Sequence, residues 1–225
     1  MAYAFDKIAR TYDRMNHLMT LGLDRWWRRR AVRELSTFNF QFSTLDVACG
    51  TGDMCVELLK RSCTVTGVDI SEEMLAIARQ KAPMATYMIA DAERLPFEDA
   101  TFDAVTCAFG VRNFVHLKQG LDEMLRVLKP GGRMVILELA TPDSAIIRPF
   151  YNLYTKHVIP MLGKWLAGNR EAYTYLPQSI ERFPKGDAFL KIILNSQFSI
   201  LNCRHRRLTL GVCRLYVINK EAARC

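Results

Sequence analysis

The sequence predicts an α/β fold in which a mostly parallel β-sheet carries helices on both faces. Short apolar runs of the length of buried strands recur along the chain, at 44–48, 64–70, 85–90, 102–109 and 133–139. Amphipathic helical patterns separate these runs, and strands that alternate with helices form parallel sheets covered on both sides. At 225 residues the chain can bury one sizeable core, so we predict a single domain over 1–225.

Three helices are predicted between the strands. The first opens at the glycine turn before Asp53, and the second has Ser71 as its N-cap and stops before Pro83, because proline cannot continue a helix. The third covers 115–128, where apolar residues recur at helical spacing. The Lys-Pro-Gly-Gly segment that starts at Lys129 ends this helix.

Two regions interrupt the alternation of strands and helices. Residues 1–40 form a basic, aromatic extension that we expect to be helical, and 141–190 contain five of the eight prolines. We interpret the second region, which is also rich in aromatic residues, as a lid-like insert over the ligand of the sheet. The apolar runs 198–203 and 212–218 are predicted to be two closing strands joined by a basic turn.

Composition excludes several classes of protein. Apolar residues make up 50% and charged residues 24% of the chain, the balance of an ordinary globular domain. The seven cysteines contain no CxxC pair and the four histidines lack metal-ligand spacing, so neither a disulfide framework nor a metal is predicted.

We find no signal peptide and no apolar run long enough to span a bilayer, and expect a cytoplasmic protein. The net charge of +8 favours an anionic neighbour.

A glycine-rich turn, DVACGTGD at 46–53, follows the first strand and precedes a helix. In this context backbone N–H groups can approach a ligand closely. The turn does not fit the dinucleotide fingerprint GxGxxG, because the third glycine position falls on Cys55 if the motif starts at Gly50, and on Asp53 if it starts at Ala48. A carboxylate at Asp53 would also repel a pyrophosphate at the helix N-terminus. Dinucleotide binding is therefore disfavoured.

A cationic ligand without phosphate avoids this conflict, and S-adenosylmethionine has that character. Asp46 and Asp53 could face its amino acid end. Asp69 ends the second strand, where a carboxylate can accept hydrogen bonds from both ribose hydroxyls. Asp91 and Ala92 follow the third strand and could bind the adenine. The alternative is that these acids serve only as helix caps and turn formers; their common place at strand ends favours binding.

These residues carry a resemblance to the C-methyltransferases of ubiquinone and menaquinone biosynthesis. The matching segments extend over nearly the whole chain: FDKIARTYDRMNHLMTLGLDRWWRR, DVACGTGD, GVDISEEML, DAERLPFEDATFDAV, FGVRN, RVLKPGG and AYTYLPQSIERFP. The glycine loop and the LKPGG turn are shared by many class I methyltransferases, whereas YDRMN, FGVRN and YTYLPQSI are much narrower. The resemblance implies a class I, Rossmann-like sheet of seven strands. It also implies that S-adenosylmethionine methylates a demethylated prenyl quinol, which is demethylmenaquinol or a ubiquinone precursor.

The resemblance further implies which residues bind the cofactor. The matching positions are Thr51, Asp69, Asp91 and Ala92, and many relatives have a serine where this chain has Ala108. Any hydrogen bond from that serine must be absent here or replaced by backbone or water. Together with the analysis of the strand ends, the expected cofactor-binding residues are Asp46, Ala48, Gly50, Thr51, Gly52, Asp69, Ile70, Asp91 and Ala92.

Methyl transfer to a ring carbon needs an in-line attack on the sulfonium methyl and an acceptor made nucleophilic by loss of a hydroxyl proton. Arg112 and Asn113 follow the fourth strand, at the edge where the methyl should point. A guanidinium stays protonated, so we assign Arg112 to stabilising the oxyanion and Asn113 to orienting it. A helix cap and a surface arginine are the alternative for this pair.

His116, Tyr173 and Tyr175 are the candidate proton acceptors. An isolated histidine is more often structural, and the two tyrosines could instead line an apolar channel for the ring and tail or belong to the core of the insert. No dedicated base is required if Arg112 promotes ionisation of the quinol.

The sequence is also compatible with other functions and partners. Methylation of another small molecule or of a nucleic acid is an alternative, which the charge and the RWWRRR segment at 25–30 would suit. Against a nucleic acid, the chain has no NPPY-like tetrapeptide and no Pro-Cys pair. A non-catalytic cofactor-binding module is a third class. The RWWRRR segment is either a solvated helix with tryptophans on the core or an interfacial helix on anionic lipid. The expected substrate is a prenylated quinol. Peripheral contact with an anionic membrane stays an open alternative, and a homodimer is compatible with the sequence.

Overall fold

Seven strands form one sheet in the computed structural model, which describes residues 9–35, 41–61, 64–159, 161 and 170–222, apart from the side chains of 9–11 and 170–175. The strands are β1 (Ser43–Val47), β2 (Thr64–Asp69), β3 (Thr86–Ile89), β4 (Phe102–Ala108), β5 (Leu128–Leu139), β6 (Ile200–Leu208) and β7 (Cys213–Lys220). Their order across the sheet is β3-β2-β1-β4-β5-β7-β6. The strands β1 to β5 are parallel and β7 is antiparallel to both its neighbours, which confirms the predicted mostly parallel sheet.

Helices follow most of the strands. In the described part of the chain they are α1 (Ala9–Met19), α2 (Leu23–Arg33), α3 (Asp53–Leu59), α4 (Glu72–Lys81), α5 (Leu117–Val127), α6 (Ile147–Leu153), α7 (Arg170–Arg182) and α8 (Asp187–Leu194). A π-helical turn, Tyr154–Val158, continues α6. Short 3₁₀ turns cover Val111–Asn113 and Thr209–Gly211.

The predicted helix signals have their expected structural effects. The hydroxyl of Ser71 accepts a hydrogen bond from the backbone N–H of Met74 at 3.2 Å and so caps α4, which ends before Pro83. The α5 helix buries Leu121 and Leu125 on one side, as its apolar stripe predicts. The following strand begins at Leu128 and takes in the Lys-Pro-Gly-Gly segment, so β5 starts earlier than the predicted boundary at 133.

The C-terminal hairpin differs from its prediction. Its first strand, β6, runs on to Leu208 and contains Arg204, Arg206 and Arg207, whereas the connecting turn is Thr209–Gly211 and carries no basic residue. The prediction of a basic turn was therefore wrong. The physical reason is that β6 is the edge strand of the sheet, where charged side chains can reach solvent that a central strand would exclude.

Two clusters of buried apolar residues cover the two faces of the sheet. On one face α5 and α8 pack through residues such as Met124, Phe189 and Ile193. On the other face α2, α3 and α4 contribute residues that include Trp27 and Leu58. Helices on both faces are what the near-continuous apolar strands require, because each such strand is buried on both sides.

The N-terminal helices meet the segment that follows β5. The hydroxyl of Tyr154 donates a hydrogen bond to the carbonyl of Met19 at 3.0 Å, and Met15 packs in one small cluster with Ile159. The predicted extension and the predicted insert thus contact each other, and the space between them adjoins the carboxyl ends of the parallel strands.

Candidate active site

The turn after β1 presents backbone N–H groups at the carboxyl edge of the sheet. Ala48, Gly50 and Gly52 all have positive φ angles, of 53°, 54° and 83°. A Cβ on Gly52 would lie 3.0 Å from the Cβ of Ala78, so the turn can pack this tightly on α4 only with glycine there. The N–H of Gly50 donates to a carboxylate oxygen of Asp69 at 2.8 Å. The glycines therefore bring the first turn against the end of β2.

The carboxylate of Asp69 joins two neighbouring turns. One oxygen accepts the hydrogen bond from Gly50, and the other accepts from the backbone N–H of Ser71 at 3.0 Å. These bonds fix the orientation of the carboxylate. Because each oxygen has two lone pairs, acceptor capacity remains for the two hydroxyls of a ribose.

The turns at the strand ends surround a pocket of about 510 Å³, within the roughly 300–1,000 Å³ of typical ligand sites. We call it the polar pocket. Six of the nine expected cofactor residues line it: Ala48, Gly50, Asp69, Ile70, Asp91 and Ala92. Asp91 is held by a hydrogen bond from the N–H of Glu93 at 2.9 Å. The structure thus brings the strand-end acids Asp69 and Asp91 together at one space.

Asp46, the third strand-end acid, lies beneath the loop instead. It is fully buried, and its carboxylate accepts hydrogen bonds from the hydroxyl of Thr106 at 2.7 Å and the thiol of Cys55 at 3.4 Å. Burial raises the pKa of Asp46 to about 7, although both hydrogen bonds oppose this rise. Its side chain supports the loop from below and does not line the polar pocket.

Thr51 ties the loop to the N-terminal extension. Its hydroxyl donates to the carboxylate of Asp13 on α1 at 2.5 Å. The ammonium of Lys81 binds both Asp13, at 2.8 Å, and Asp53, at 2.5 Å. These bonds fasten α1 over the loop and bring Tyr12 into the wall of the polar pocket. No local pattern around Tyr12 predicts this position, because its partners lie far away along the chain.

His17, Asp24 and Asp53 form a cluster whose ligand atoms lie within 4.8 Å of one another. Arg28 lies 2.5 Å from an oxygen of Asp24, and Lys81 is bound to Asp53. Two cations therefore already neutralise the two carboxylates, and the cluster is better described as a salt-bridge network than as a site for a metal ion.

A second space of about 240 Å³, the apolar cavity, adjoins the polar pocket. Tyr12 and Phe109 line both spaces. The remaining walls come from α1, α2, α6 and its π turn, α7 and the turn between β6 and β7, with side chains that include Met19, Leu139, Ile159, Leu176 and Val212. A space with such walls favours a flat apolar ligand next to whatever occupies the polar pocket.

Arg112 supplies a cationic group in the wall of the apolar cavity. Its Nη1 donates to Glu138 at 2.8 Å and also to the carbonyl of Phe109, and its backbone N–H donates to the second oxygen of Glu138 at 3.2 Å. The side chains of Arg112 and Glu138 are only 7% and 1% exposed. Glu138 therefore holds the guanidinium in one orientation, a partner that the sequence did not reveal.

The other candidate catalytic residues lie elsewhere. Asn113 lines the polar pocket, and its Oδ1 is buried without a hydrogen-bond partner in the part of the chain that the structure describes. His116 stands at the rim of the same pocket, largely exposed, with Nδ1 2.7 Å from Glu93. The side chains of Tyr173 and Tyr175 lie outside the described residues. Neither Asn113 nor His116 lines the apolar cavity.

Tyr151 and Tyr154 are the tyrosines of the insert that the structure does bring to the cavity. Burial raises the pKa of Tyr151 to about 12, although the nearby Arg112 opposes this rise. Tyr151 is therefore a hydrogen-bond donor at neutral pH and a poor proton acceptor. The aromatic richness of the insert signalled such a role, but the sequence could not say which of its tyrosines face the cavity.

No helix among the described residues is long and apolar enough to cross a membrane.

Comparison with known proteins agrees with this geometry. The model of a family described as the ubiE/COQ5 methyltransferase family matches residues 1–220. A demethylmenaquinone methyltransferase of Bacteroides fragilis is 45% identical over 96% of this chain and 90% of its own length. A ubiquinone/menaquinone biosynthesis C-methyltransferase, UbiE, of Geotalea daltonii is 41% identical over 96% of this chain and 94% of its own length.

Solved structures with low sequence identity share the fold. A S-adenosylmethionine-dependent methyltransferase of Thermotoga maritima, described as a possible histamine N-methyltransferase, superposes with a TM-score of 0.69 at 18% identity, covering 98% of this chain and 100% of that one. Phosphoethanolamine N-methyltransferase 2 of Haemonchus contortus, solved with S-adenosyl-L-methionine, superposes with a TM-score of 0.60 at 15% identity, covering 87% of this chain and 52% of that one. The architecture is that of class I methyltransferases.

Proposed function

The chain belongs to the ubiE/COQ5 methyltransferase family, and from this premise we propose that it methylates a ring carbon of demethylmenaquinol. Membership makes it an S-adenosylmethionine-dependent C-methyltransferase of quinone biosynthesis. The observation that carries the proposed substrate and site is that a polar pocket and an apolar cavity meet at Tyr12 and Phe109. A hydrophilic methyl donor and an apolar acceptor ring require two such adjoining spaces.

S-adenosylmethionine fits the polar pocket by its chemistry. Asp91 and Ala92 would bind the adenine, Asp69 the ribose hydroxyls, and the Gly50 turn the amino acid end. The acids at the pocket suit a ligand that carries a sulfonium and an ammonium against one carboxylate. Ala108 stands where the family has a serine, and it also lines the pocket. Alanine has no hydroxyl, so backbone or water must make any contact that the serine makes in relatives.

The acceptor ring would occupy the apolar cavity with one hydroxyl towards Arg112. When this hydroxyl loses its proton, negative charge spreads to the ring carbon that attacks the methyl group. The carbon–carbon bond forms as the sulfur–methyl bond breaks, the sulfur leaves as a neutral thioether, and the ring carbon then loses its hydrogen as a proton. Arg112 would stabilise the oxyanion through these steps, because its charge is fixed next to the ring by Glu138.

No dedicated base is required by this scheme. Tyr151 stays protonated and can donate to the same oxygen. Asp24 is a carboxylate on the cavity wall; burial alone would raise the pKa of Asp24, but Arg28, Thr20 and His17 together lower it. Asp24 is therefore ionised near neutral pH and adds to the local field without readily accepting a proton. Placement of the two reactants can supply much of the rate.

A membrane is the partner we propose for the mouth of the apolar cavity. At about 240 Å³ the cavity is smaller than typical sites for drug-sized ligands, so a long prenyl tail must stay outside. Leu21, which lines the cavity, is 77% exposed, and Leu210 in the turn between β6 and β7 is 70% exposed. Within the RWWRRR segment Trp27 and Arg28 are buried, whereas Trp26 is half exposed, so only part of that segment is free to reach lipid.

Vesicle flotation tests this contact. We expect the protein to float with vesicles containing about a third anionic lipid and to float less in high salt. Leu21 has a φ of 52°, which asparagine tolerates well, so Leu21→Asn should weaken flotation without disturbing the backbone. Met84→Asn changes an equally exposed apolar residue that lines neither space and serves as the control. Flotation that is independent of anionic lipid and of Leu21 would argue against the contact.

A transfer assay tests the function itself. The protein is incubated with methyl-labelled S-adenosylmethionine and either reduced demethylmenaquinone or a reduced demethylated ubiquinone precursor in detergent micelles. We expect one labelled methyl group on the naphthoquinol and equal release of S-adenosylhomocysteine. Label on the benzoquinol alone, or on nucleic acid, would overturn the proposed substrate.

A further inference from the structure

A small cleft of about 30 Å³ extends the polar pocket past the glycine loop. The two spaces share five wall residues: Tyr12, Ala48, Gly50, Ala108 and Phe109. The cleft adds Thr51, Asp53 and Asp46 from the loop and its support, and Arg28 from α2. It therefore lies where the amino acid end of S-adenosylmethionine would lie if its ribose binds Asp69, because the loop follows directly from the Gly50 contact with that carboxylate.

The charges around these two spaces are mostly negative. Asp69, Asp91 and Glu93 line the pocket, and Asp53 lines the cleft; Asp46 also lines the cleft, but its raised pKa of about 7 leaves it partly protonated near neutral pH. Of all the described residues that line either space, Arg28 is the one lysine or arginine. S-adenosylmethionine carries one carboxylate, on its methionine moiety. In this environment a carboxylate is attracted to Arg28 and repelled by the acidic side chains of the walls.

The guanidinium of Arg28 is held in place before any ligand binds. Its Nη1 lies 2.5 Å from Asp24 and its Nη2 lies 3.5 Å from Asp53, and the group sits 5.2 Å from the centroid of the Phe109 ring. The side chain is 7% exposed. Its Nε is buried and has no hydrogen-bond partner among the residues that the structure describes. A buried donor without a partner is costly, so this arginine has hydrogen-bonding capacity left for a ligand.

We propose that Arg28 binds the carboxylate of the methionine moiety of S-adenosylmethionine, an inference that rests on the proposed function. The ammonium of the same moiety then faces Asp53, whose carboxylate already binds Lys81 at 2.5 Å and would accept hydrogen bonds from both ammonium groups. An arginine suits this place because its planar fork can bond the two aspartates with one edge and the ligand with another. The same contact would connect cofactor binding to α2, which also lines the apolar cavity.

Calorimetry on the full chain with two ligands tests the proposal. One ligand is S-adenosylmethionine, and the other is its decarboxylated analogue, which keeps the sulfonium, the amine and the adenosine. We expect the wild type to bind the analogue about 10- to 100-fold more weakly, the range of a charged hydrogen bond. Arg28→Gln should weaken binding of S-adenosylmethionine by a similar factor and leave binding of the analogue within about twofold. Arg214→Gln, which changes another buried arginine that lines neither space, should change neither affinity.

Loss of Arg28 leaves Asp24 without its closest cation, so folding needs its own control. The double variant Asp24→Asn with Arg28→Gln keeps the buried pair neutral and should show the same selective loss for S-adenosylmethionine. Equal weakening of both ligands in the folded variants would mean that Arg28 only supports the loop. Unchanged affinity with reduced turnover would mean that Arg28 acts on the acceptor, since it also lines the apolar cavity. Either result overturns the proposal, whereas a wild type that binds S-adenosylmethionine but methylates no quinol contradicts the proposed function alone.

Discussion

The polar pocket and the apolar cavity share two wall residues but are assembled in different ways. The polar pocket is formed mostly by short turns after β1, β2, β3 and β4, each next to its strand in sequence. The walls of the apolar cavity come from α1, α2, α6, α7 and the turn between β6 and β7, which meet only after the chain has folded.

This difference has a functional consequence. The parallel sheet fixes the positions of its strand ends, so the polar pocket is rigid for the same reason that the sheet is stable. The apolar cavity depends on contacts such as the hydrogen bond from Trp27 to the hydroxyl of Thr209 at 2.8 Å, across 182 residues. We therefore expect substitutions in the polar pocket to change cofactor affinity, and substitutions in the apolar cavity to change binding or methylation of the acceptor.

The largest difference between the effect on turnover and the effect on cofactor affinity is expected at Arg112, which lines the apolar cavity. Arg112→Gln removes the charge that we propose stabilises the oxyanion, and losing one such donor typically costs about 10²–10³ in kcat. The dissociation constant for S-adenosylmethionine should stay within about twofold, because Arg112 does not line the polar pocket. Steady-state kinetics and calorimetry measure the two effects.

The Arg112→Gln variant also leaves the buried carboxylate of Glu138 without its cationic partner. The double variant Arg112→Gln with Glu138→Gln keeps the pair neutral and should fold with the same loss of turnover. Arg214→Gln is the matched control, since Arg214 is a buried arginine bound to Asp143 outside both spaces. Loss of cofactor affinity in the double variant would contradict the assignment of Arg112 to the acceptor.

A second effect concerns the buried acid under the cofactor loop. The pKa of Asp46 is raised to about 7 in the folded chain from 3.8, so the folded state keeps this proton while the unfolded state loses it. Stability should therefore fall as pH rises from about 4 to about 7 and then level off, by an amount on the order of 4 kcal/mol. Asp46→Asn keeps an acceptor for the hydroxyl of Thr106. The free energy of unfolding in urea should therefore differ less between pH 5 and pH 7.5 in this variant than in the wild type.

Asp103 provides a control of opposite sign for that measurement. Its carboxylate lies at the far end of the sheet; burial alone would raise the pKa of Asp103, but Lys129 and Ser43 lower it below its usual range. Asp103→Asn should therefore lower stability at neutral pH and have less effect in acid. An Asp46→Asn variant with the same pH slope as the wild type would show that Asp46 is ionised in the folded protein.

The third effect is on cofactor affinity alone. Asp69→Asn weakens the proposed acceptor for the ribose hydroxyls and replaces one of the oxygens that hold the N–H groups of Gly50 and Ser71. We expect the dissociation constant for S-adenosylmethionine to rise about 10- to 100-fold, since hydrogen bonds to charged groups contribute about 1.5–3 kcal/mol. The Michaelis constant for the quinol should change little. Asp103→Asn, which also removes a carboxylate that accepts a backbone N–H, should leave cofactor affinity unchanged.

The difference in how the polar pocket and the apolar cavity are assembled also explains which parts of the site the sequence could predict. The strand ends, the positive-φ turn and the acids Asp69 and Asp91 follow from local patterns, because a parallel strand and the turn after it are neighbours along the chain. The aromatic insert suggested an apolar channel, but the residues that line the apolar cavity could not be predicted, because nothing near Tyr12 or Ile159 in sequence indicates what they will face. Asp46 shows the limit of the local argument: it stands at a strand end as Asp69 does, yet its bonds to Thr106 and Cys55 place it under the loop.

The smallest expected effect comes from removing one methylene group in the wall of the apolar cavity, compared with the same change in the sheet core. Ile159→Val should raise the Michaelis constant for the quinol about fourfold, because one buried methylene contributes about 0.8 kcal/mol, and should leave cofactor affinity unchanged. Ile193→Val makes the same change at a fully buried site in the sheet core that lines neither space. It should lower stability with no change in the Michaelis constant. If both variants raised the constant equally, the loss would come from general loosening of the fold, and Ile159 would have no direct contact with the acceptor.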